Sequence, residues 1–240
     1  MRALFIQHDH VSGTGLVGER LLERGYDLTT RLVVPAERFH SPGVEFDFPD
    51  PRDWDLVVVL GAVWAVYDRD LVGSWVDPEV DFLRRAHAEG VPTLGICFGA
   101  QALATALGGS VEAAPRPEIG WTDVASDDSS LIEPGPWFEW HYDRYHLPAG
   151  ITAIAHTPLC PQAFHSGRSL GVQFHPELNS VILQRWLDNG GDDKAREHGI
   201  EPDDLLETTR LREAESRKRT HRLVDAFLDQ VACAQVPPAT

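Results

Sequence analysis

Cys97 stands in Gly95-Ile96-Cys97-Phe98-Gly99, between an apolar run at 93–96 and a segment of helical spacing that begins near Ala100. Gly-x-Cys-x-Gly at a strand-to-helix junction has the form of a nucleophile elbow. Glycines at 95 and 99 relieve the crowding of such a turn, because a residue without Cβ accepts backbone geometry that others avoid. A sulfur held there stands at a helix N-terminus, where unpaired amides and the helix dipole favour the thiolate, the reactive form. Taken alone, the pentapeptide fits a small buried thiol equally well.

A partner for the sulfur occurs in Val172-Gln173-Phe174-His175-Pro176-Glu177. Histidine can take the thiol proton and give it to a leaving amine. A carboxylate two residues on can orient and charge-stabilise the imidazole. Pro176 stiffens the turn between them. His-x-Glu alone is a common pattern, but after a cysteine elbow, and with Gln101 just beyond that elbow, it becomes a strong signal of nucleophilic catalysis.

The elements that must position these residues can be read from periodicity. Short apolar runs at 3–7, 28–34, 56–60 and 93–96 read as buried strands, and 16–24, 80–89 and 100–107 have helical spacing. That alternation predicts an α/β fold with a mainly parallel central sheet and helices on both faces. From about Ser110 the pattern changes to strand-like pieces at 118–124, 137–141, 151–155 and 169–174, which predicts a smaller antiparallel element. Pro115-Arg116-Pro117 reads as a loop between the two halves. Trp137 and Trp140, at i and i+3, fall on opposite strand faces, so one belongs to the core. Helical periodicity returns at 180–187 and 202–232, the latter as a C-terminal extension whose Leu223, Phe227, Leu228 and Val231 form a core-facing stripe.

Composition narrows the partners. The chain has 240 residues, enough for one large α/β domain, and 37 acidic against 21 basic residues give a net charge of −16. Such a surface repels a phosphate backbone, so nucleic acid is not expected. The one basic run, Arg217-Lys218-Arg219 with Arg222, reads as a solvated helix face. Cys97, Cys160 and Cys233 are too scattered for a zinc knuckle or a disulfide framework. No apolar run suits a signal peptide or a membrane span, and a cytoplasmic location is expected.

Gly95 to Gln101 together with Gln173 to Glu177 resembles the class I glutamine amidotransferases, specifically stand-alone proteins similar to the amidotransferase domain of GMP synthetase. The likeness continues through Leu60-Gly61 with Val66-Tyr67-Asp68, Glu118-Ile119-Gly120-Trp121 and Pro161-Gln162-Ala163-Phe164. It spans residues 1–190 as an amidotransferase domain, with 191–240 as a helical extension packed on it. The resemblance implies a flavodoxin-like fold, glutamine as substrate, and a triad of Cys97, His175 and Glu177. It also implies an oxyanion hole from the amides of Phe98 and the Gly61-Ala62 turn, with Gln101 touching the substrate. No cofactor is implied. With no synthetase segment apparent in the sequence, either the ammonia acceptor is expected on a separate subunit or the protein is expected to act as a free glutaminase.

Two departures bear on the pocket. Relatives usually carry Gly-Gly-Pro where this chain has Gly61-Ala62-Val63-Trp64, so the Trp64 indole is expected to border the pocket. Where many have Trp-His-Gly-Asp, this chain has Trp140-His141-Tyr142-Asp143, and His141 is expected to line the mouth. Two rival readings stay open: a γ-glutamyl hydrolase with room for larger γ-glutamyl compounds, and a non-catalytic, partner-binding relative.

Other patterns carry less. Gly13 to Gly18 matches Gly-x-Gly-x-x-Gly, but five residues separate it from the first strand, so a flexible entry to the first helix is the better reading than a dinucleotide site. His8 and His10 around Asp9, and His141 with Asp143, lack a matching second cluster for a metal. No phosphate-binding Gly-x-x-x-x-Gly-Lys-Ser/Thr loop occurs.

Overall fold

The computed structural model describes residues 1–234. In chain order the first half contains β1 (Arg2–Gln7), α1 (Gly15–Glu23), β2 (Asp27–Leu32), β3 (Leu56–Val59), α2 (Arg69–Ala88), β4 (Thr93–Ile96) and α3 (Phe98–Ala106). The second half adds β5 (Ser110–Ser126), β6 (Gly135–His146), β7 (Ala153–His156), β8 (Pro161–Ser166) and β9 (Ser169–Val172). It ends with α4 (Ser180–Trp186), α5 (Asp192–Glu197) and α6 (Pro202–Ala226).

The nine strands form one sheet in the order β2-β1-β3-β4-β9-β8-β7-β5-β6. The first five are parallel, and the remainder pair antiparallel. β3, β4 and β9 are buried along their whole length, as apolar strands covered on both faces must be. Edge strand β2 is largely exposed. Two apolar clusters fill the opposite faces, one around Phe5, Val58 and Phe174, the other around Ile6, Val59 and Trp75. The architecture is the flavodoxin-like one expected, and it delivers His8 after β1, Gly61 after β3, Cys97 after β4 and His175 after β9 to one edge. In open α/β sheets the carboxyl ends of parallel strands are where ligands bind.

Three local expectations need correction. α2 begins at Arg69 and runs through Pro78, because Val72, Trp75, Val76 and Val80 supply a buried stripe that outweighs the helix-breaking signals of Gly73 and Pro78. Pro115-Arg116-Pro117 is not a loop: it lies inside β5, where the register with β6 shifts between Ala113 and Glu118. Proline lacks the ladder N–H and is tolerated at such a bulge. The basic run is not simply a solvated face. Lys218 is exposed, but Arg219 donates to the Pro136 carbonyl and lies over Trp137, while Arg217 pairs with Glu19 and Arg222 with Glu133.

Trp137 is the core member of its pair, stacked on Phe174, and Trp140 lies half-buried beside Trp186. α6 packs along α1, where Asp225 bridges Arg20 and Arg24 at 2.7 and 2.6 Å, and its Leu223 and Val224 join the cluster of Phe174. No helix among the described residues is long and apolar enough to cross a membrane.

Candidate active site

Cys97 has φ +51° and ψ −107°, the one positive φ outside glycine among the described residues. Strain of this kind, about 1–3 kcal/mol, persists only where the surroundings enforce it. The enforcement is visible. A Cβ at Gly95 would lie 2.5 Å from the Gly99 carbonyl oxygen, and one at Gly99 would lie 2.2 Å from that of Val59. Strand and helix meet too closely for side chains at 95 and 99, and Cys97 between them heads α3.

On the neighbouring strand end, His175 Nδ1 donates to Glu177 Oε1 at 2.8 Å, with both side chains buried. Nε2 has no hydrogen-bond partner. The Trp186 ring packs against the imidazole at 4.9 Å and fixes its plane. Burial opposes a charge on His175, but Glu177 and Cys97 on either side hold its pKa well above the usual histidine value.

Gln173 Nε2 donates to Cys97 Sγ at 3.5 Å, and Gln101 Nε2 donates to Gln173 Oε1 at 3.2 Å. Gln173 was not singled out from the sequence, although residues i and i+2 of an extended strand share a face, which puts it beside His175. The Gly61 backbone lies close to both the imidazole and the cysteine: a Cβ there would lie 3.1 Å from His175 Cε1 and 3.7 Å from Cys97 Cβ. Among the described residues, the amides of Ala62 and Phe98 have no hydrogen-bond partner.

These groups line a cleft of about 610 Å³ that includes Gly61, Ala62, Trp64, Cys97, Gln101 and His175. Trp64 is half-buried, held between Phe39 at 5.6 Å and Trp75 at 5.8 Å. His141 borders the cleft, but its ring is buried away from it. Nδ1 donates to the Asp143 carbonyl at 2.9 Å, and Nε2 lies 3.3 Å from Glu118 and 3.4 Å from Glu139. Burial opposes its charge, and Cys160 with the two glutamates raises its pKa well above the ordinary value.

Glu118, His141 and Cys160 bring three ligand-type atoms within 4.8 Å of one another. Glu118 Oε2, however, already accepts from Thr157 Oγ1, Cys160 Sγ and Gln162 Nε2 at 3.0 to 3.1 Å. A cation would have to displace those donors, so the cluster reads as a buried polar network.

His8 and His10 diverge. His10 packs edge-on against Phe39, and His8 is fully buried beneath the Gly61 turn. The glycine pattern has a structural use: Gly15 has φ +47°, and a Cβ there would fall 1.8 Å from the Glu177 carbonyl oxygen, which accepts from Leu16 N at 2.9 Å. Helix α1 thus starts directly on the His-Pro-Glu turn.

A parallel sheet with a cysteine elbow, a histidine and a glutamate gathered at its carboxyl edge places the chain among α/β proteins with a nucleophile-elbow site. The sequence model of the Glutamine amidotransferase class-I family matches residues 19–190, and the chain belongs to that family. It is 38% identical over 115 residues, 44% of its length, to the glutamine-hydrolyzing GMP synthase of Acetivibrio thermocellus, and 39% identical over 51% of its length to that of Macrococcus caseolyticus. It spans 22% and 24% of those two relatives. Among solved structures, a glutamine amidotransferase from Thermotoga maritima superposes with a TM-score of 0.81 at 25% identity, covering 96% of this chain and 99% of that one. One from Methylobacillus flagellatus shares the fold, with a TM-score of 0.82 at 22% identity over 96% and 95%.

Proposed function

We propose that the protein hydrolyses the side-chain amide of glutamine and that the ammonia released serves an acceptor enzyme. The observation that carries this reading is the convergence of Cys97, His175 with its free Nε2, and two unpartnered amides on one cleft. Cys97 Sγ, its proton passed to His175 Nε2, attacks the amide carbon. The carbonyl oxygen becomes an oxyanion held by the Ala62 and Phe98 amides in the turns that Gly61 and Gly99 permit. One such donor is typically worth about 3 kcal/mol. As the C–N bond breaks, the imidazolium returns its proton and ammonia leaves. Water, deprotonated by the same Nε2, then attacks the thioester, giving glutamate and restoring the thiol. Glu177 keeps the proton on Nδ1 so that Nε2 can act.

Gln101 and Gln173 sit where they can hold the sulfur and the substrate, Trp64 walls the aromatic side, and His141 supports the floor through the Asp143 backbone. The GMP synthases offer a precedent for glutamine-hydrolysing chemistry, and a synthetase-type partner is the acceptor this reading expects. A second reading, hydrolysis of larger γ-glutamyl compounds, has one observation in its favour: the cleft offers more room than a single glutamine fills.

Purified protein given glutamine or γ-glutamyl dipeptides separates the two, the first reading requiring the higher kcat/KM on glutamine. Cys97→Ala should abolish glutamate release, and an unchanged rate would refute the nucleophile. No glutamate formation by the unmodified chain, with no trapping of Cys97 by a glutamine-analogue electrophile, would leave a partner-binding role.

A further inference from the structure

His8 and Glu79 are separated by 71 positions in the chain and are both completely buried. His8 Nε2 lies 2.8 Å from Glu79 Oε1 and 3.1 Å from Oε2, and Nδ1 lies 3.1 Å from the carbonyl oxygen of Gly61. A carbonyl oxygen only accepts, so the proton on Nδ1 is required. Glu79 occupies a position on the inward stripe of α2 that otherwise holds Trp75, Val76 and Phe82. An apolar residue would fill such a place without the desolvation that a carboxylate suffers there.

What the pair touches explains its presence. The Gly61 carbonyl and the Ala62 amide belong to one planar trans peptide, in which C=O and N–H point in opposite directions. Fixing the oxygen on one side therefore fixes the direction of the N–H on the other. The turn needs such a restraint. Gly61 is conformationally loose, and Ala62-Val63 follows it in this chain, with no proline to stiffen the unit. His8 also packs against Phe98, the two rings tilted at 59° with centroids 4.7 Å apart, and the amide of Phe98 is the other unpartnered donor beside Cys97. One buried ring thus touches the Gly61 carbonyl and the Phe98 side chain.

We infer that His8, gripped by Glu79, is a positioning residue that holds the Gly61 carbonyl and so aims the Ala62 amide at the oxyanion. This rests on the glutaminase reading above. Burial works against a charge on His8, while Glu79, the Gly61 carbonyl and Asp9 raise its pKa above the usual value.

The test is glutaminase kinetics on the full chain with His8→Leu and His8→Asn. The Asn amide nitrogen can take the place of Nδ1 and donate to Gly61, whereas Leu cannot, and both variants lose the Glu79 contact. His8→Leu should lower kcat about 30- to 300-fold with KM within about threefold, one oxyanion donor being typically worth 10²–10³ in kcat. His8→Asn should recover most of kcat although its thermal midpoint falls as His8→Leu's does. A merely structural histidine would lose activity and stability in step in both variants, and equal kcat values for Leu and Asn overturn the inference. If His8→Leu does not fold, His8→Asn against the unmodified chain and a nitrogen-15 spectrum of the unmodified imidazole decide. A His8 Nδ1 without a proton overturns it. An unmodified chain that makes no glutamate overturns the glutaminase reading and this inference together, whereas an active one with an unaffected His8→Leu overturns this inference alone.

Discussion

His175 and His8 each meet a glutamate oxygen at 2.8 Å, each is buried, and each lies against the Gly61 turn, His175 beside it and His8 beneath it. Their second nitrogens face different things. His175 turns Nε2, without a partner, toward the cleft, and His8 commits Nδ1 to a backbone carbonyl. A histidine–carboxylate pair is therefore not a role in itself. Exchange of a proton with a substrate needs a free nitrogen; a nitrogen that is already bonded can only hold its partner still. His141 makes a third case, with Nδ1 on the Asp143 carbonyl and Nε2 between two carboxylates, where its charge counts for folding.

Substitutions can sharpen or break this contrast. His175→Ala removes the imidazole nitrogen beside Cys97 that has no hydrogen-bond partner and should lower kcat for glutamine by about 10³-fold or more, with the fold intact by circular dichroism. A drop no larger than that of His8→Leu would erase the distinction between the two rings. Next in size is His141→Gln, which leaves Glu118 and Glu139 facing each other without a cation. It should cost about 3 kcal/mol in denaturant unfolding, as breaking a buried ion pair does.

His141 also sets a pH dependence. Its folded pKa lies above the unfolded value, so its stabilisation is complete below about pH 6.5 and fades as pH rises through the folded pKa. Burial likewise raises the Glu139 pKa, which works in the same direction. The thermal midpoint of the unmodified chain should therefore decline on the alkaline side, and that of His141→Gln should decline less. Smallest is Glu177→Gln, whose amide oxygen can still accept from Nδ1. About a tenfold loss in kcat is expected, with the His175 pKa, read by imidazole NMR, moving down because its carboxylate is gone. An upward movement would contradict the pairing at 2.8 Å.

Much of the cleft was legible because its residues sit in compact motifs. Cys97 and His175 lie at the ends of apolar runs, and a strand end is the easiest boundary to read from hydrophobic pattern. The His8–Glu79 pair was not legible, since one partner follows a strand and the other lies far along a helix. Its only trace is a carboxylate at 79, in the helical register of Val72, Trp75, Val76 and Phe82, where an apolar residue belongs. The first half of α2 was hidden by Gly73 and Pro78, and the length of β5 by Pro115 and Pro117. In each case a local breaker was overruled by packing that involves residues distant in sequence. The direction of the His141 ring could not be read either, because it depends on Glu118 and Cys160 reaching the same point from β5 and the start of β8.

Thr220 Oγ1, near the end of α6, donates to the Pro176 carbonyl at 2.7 Å, between His175 and Glu177. Considered in time, this contact delays competence. Synthesis from the N-terminus delivers all nine strands by Val172, and the sheet can begin to assemble while the remaining helices are still being made. The turn that aligns the His175 imidazole and the Glu177 carboxylate lacks its outer support until Thr220 has emerged and α6 has settled against α1. A long helix made after the whole sheet thus completes the support of a site whose Cys97 emerged well before it.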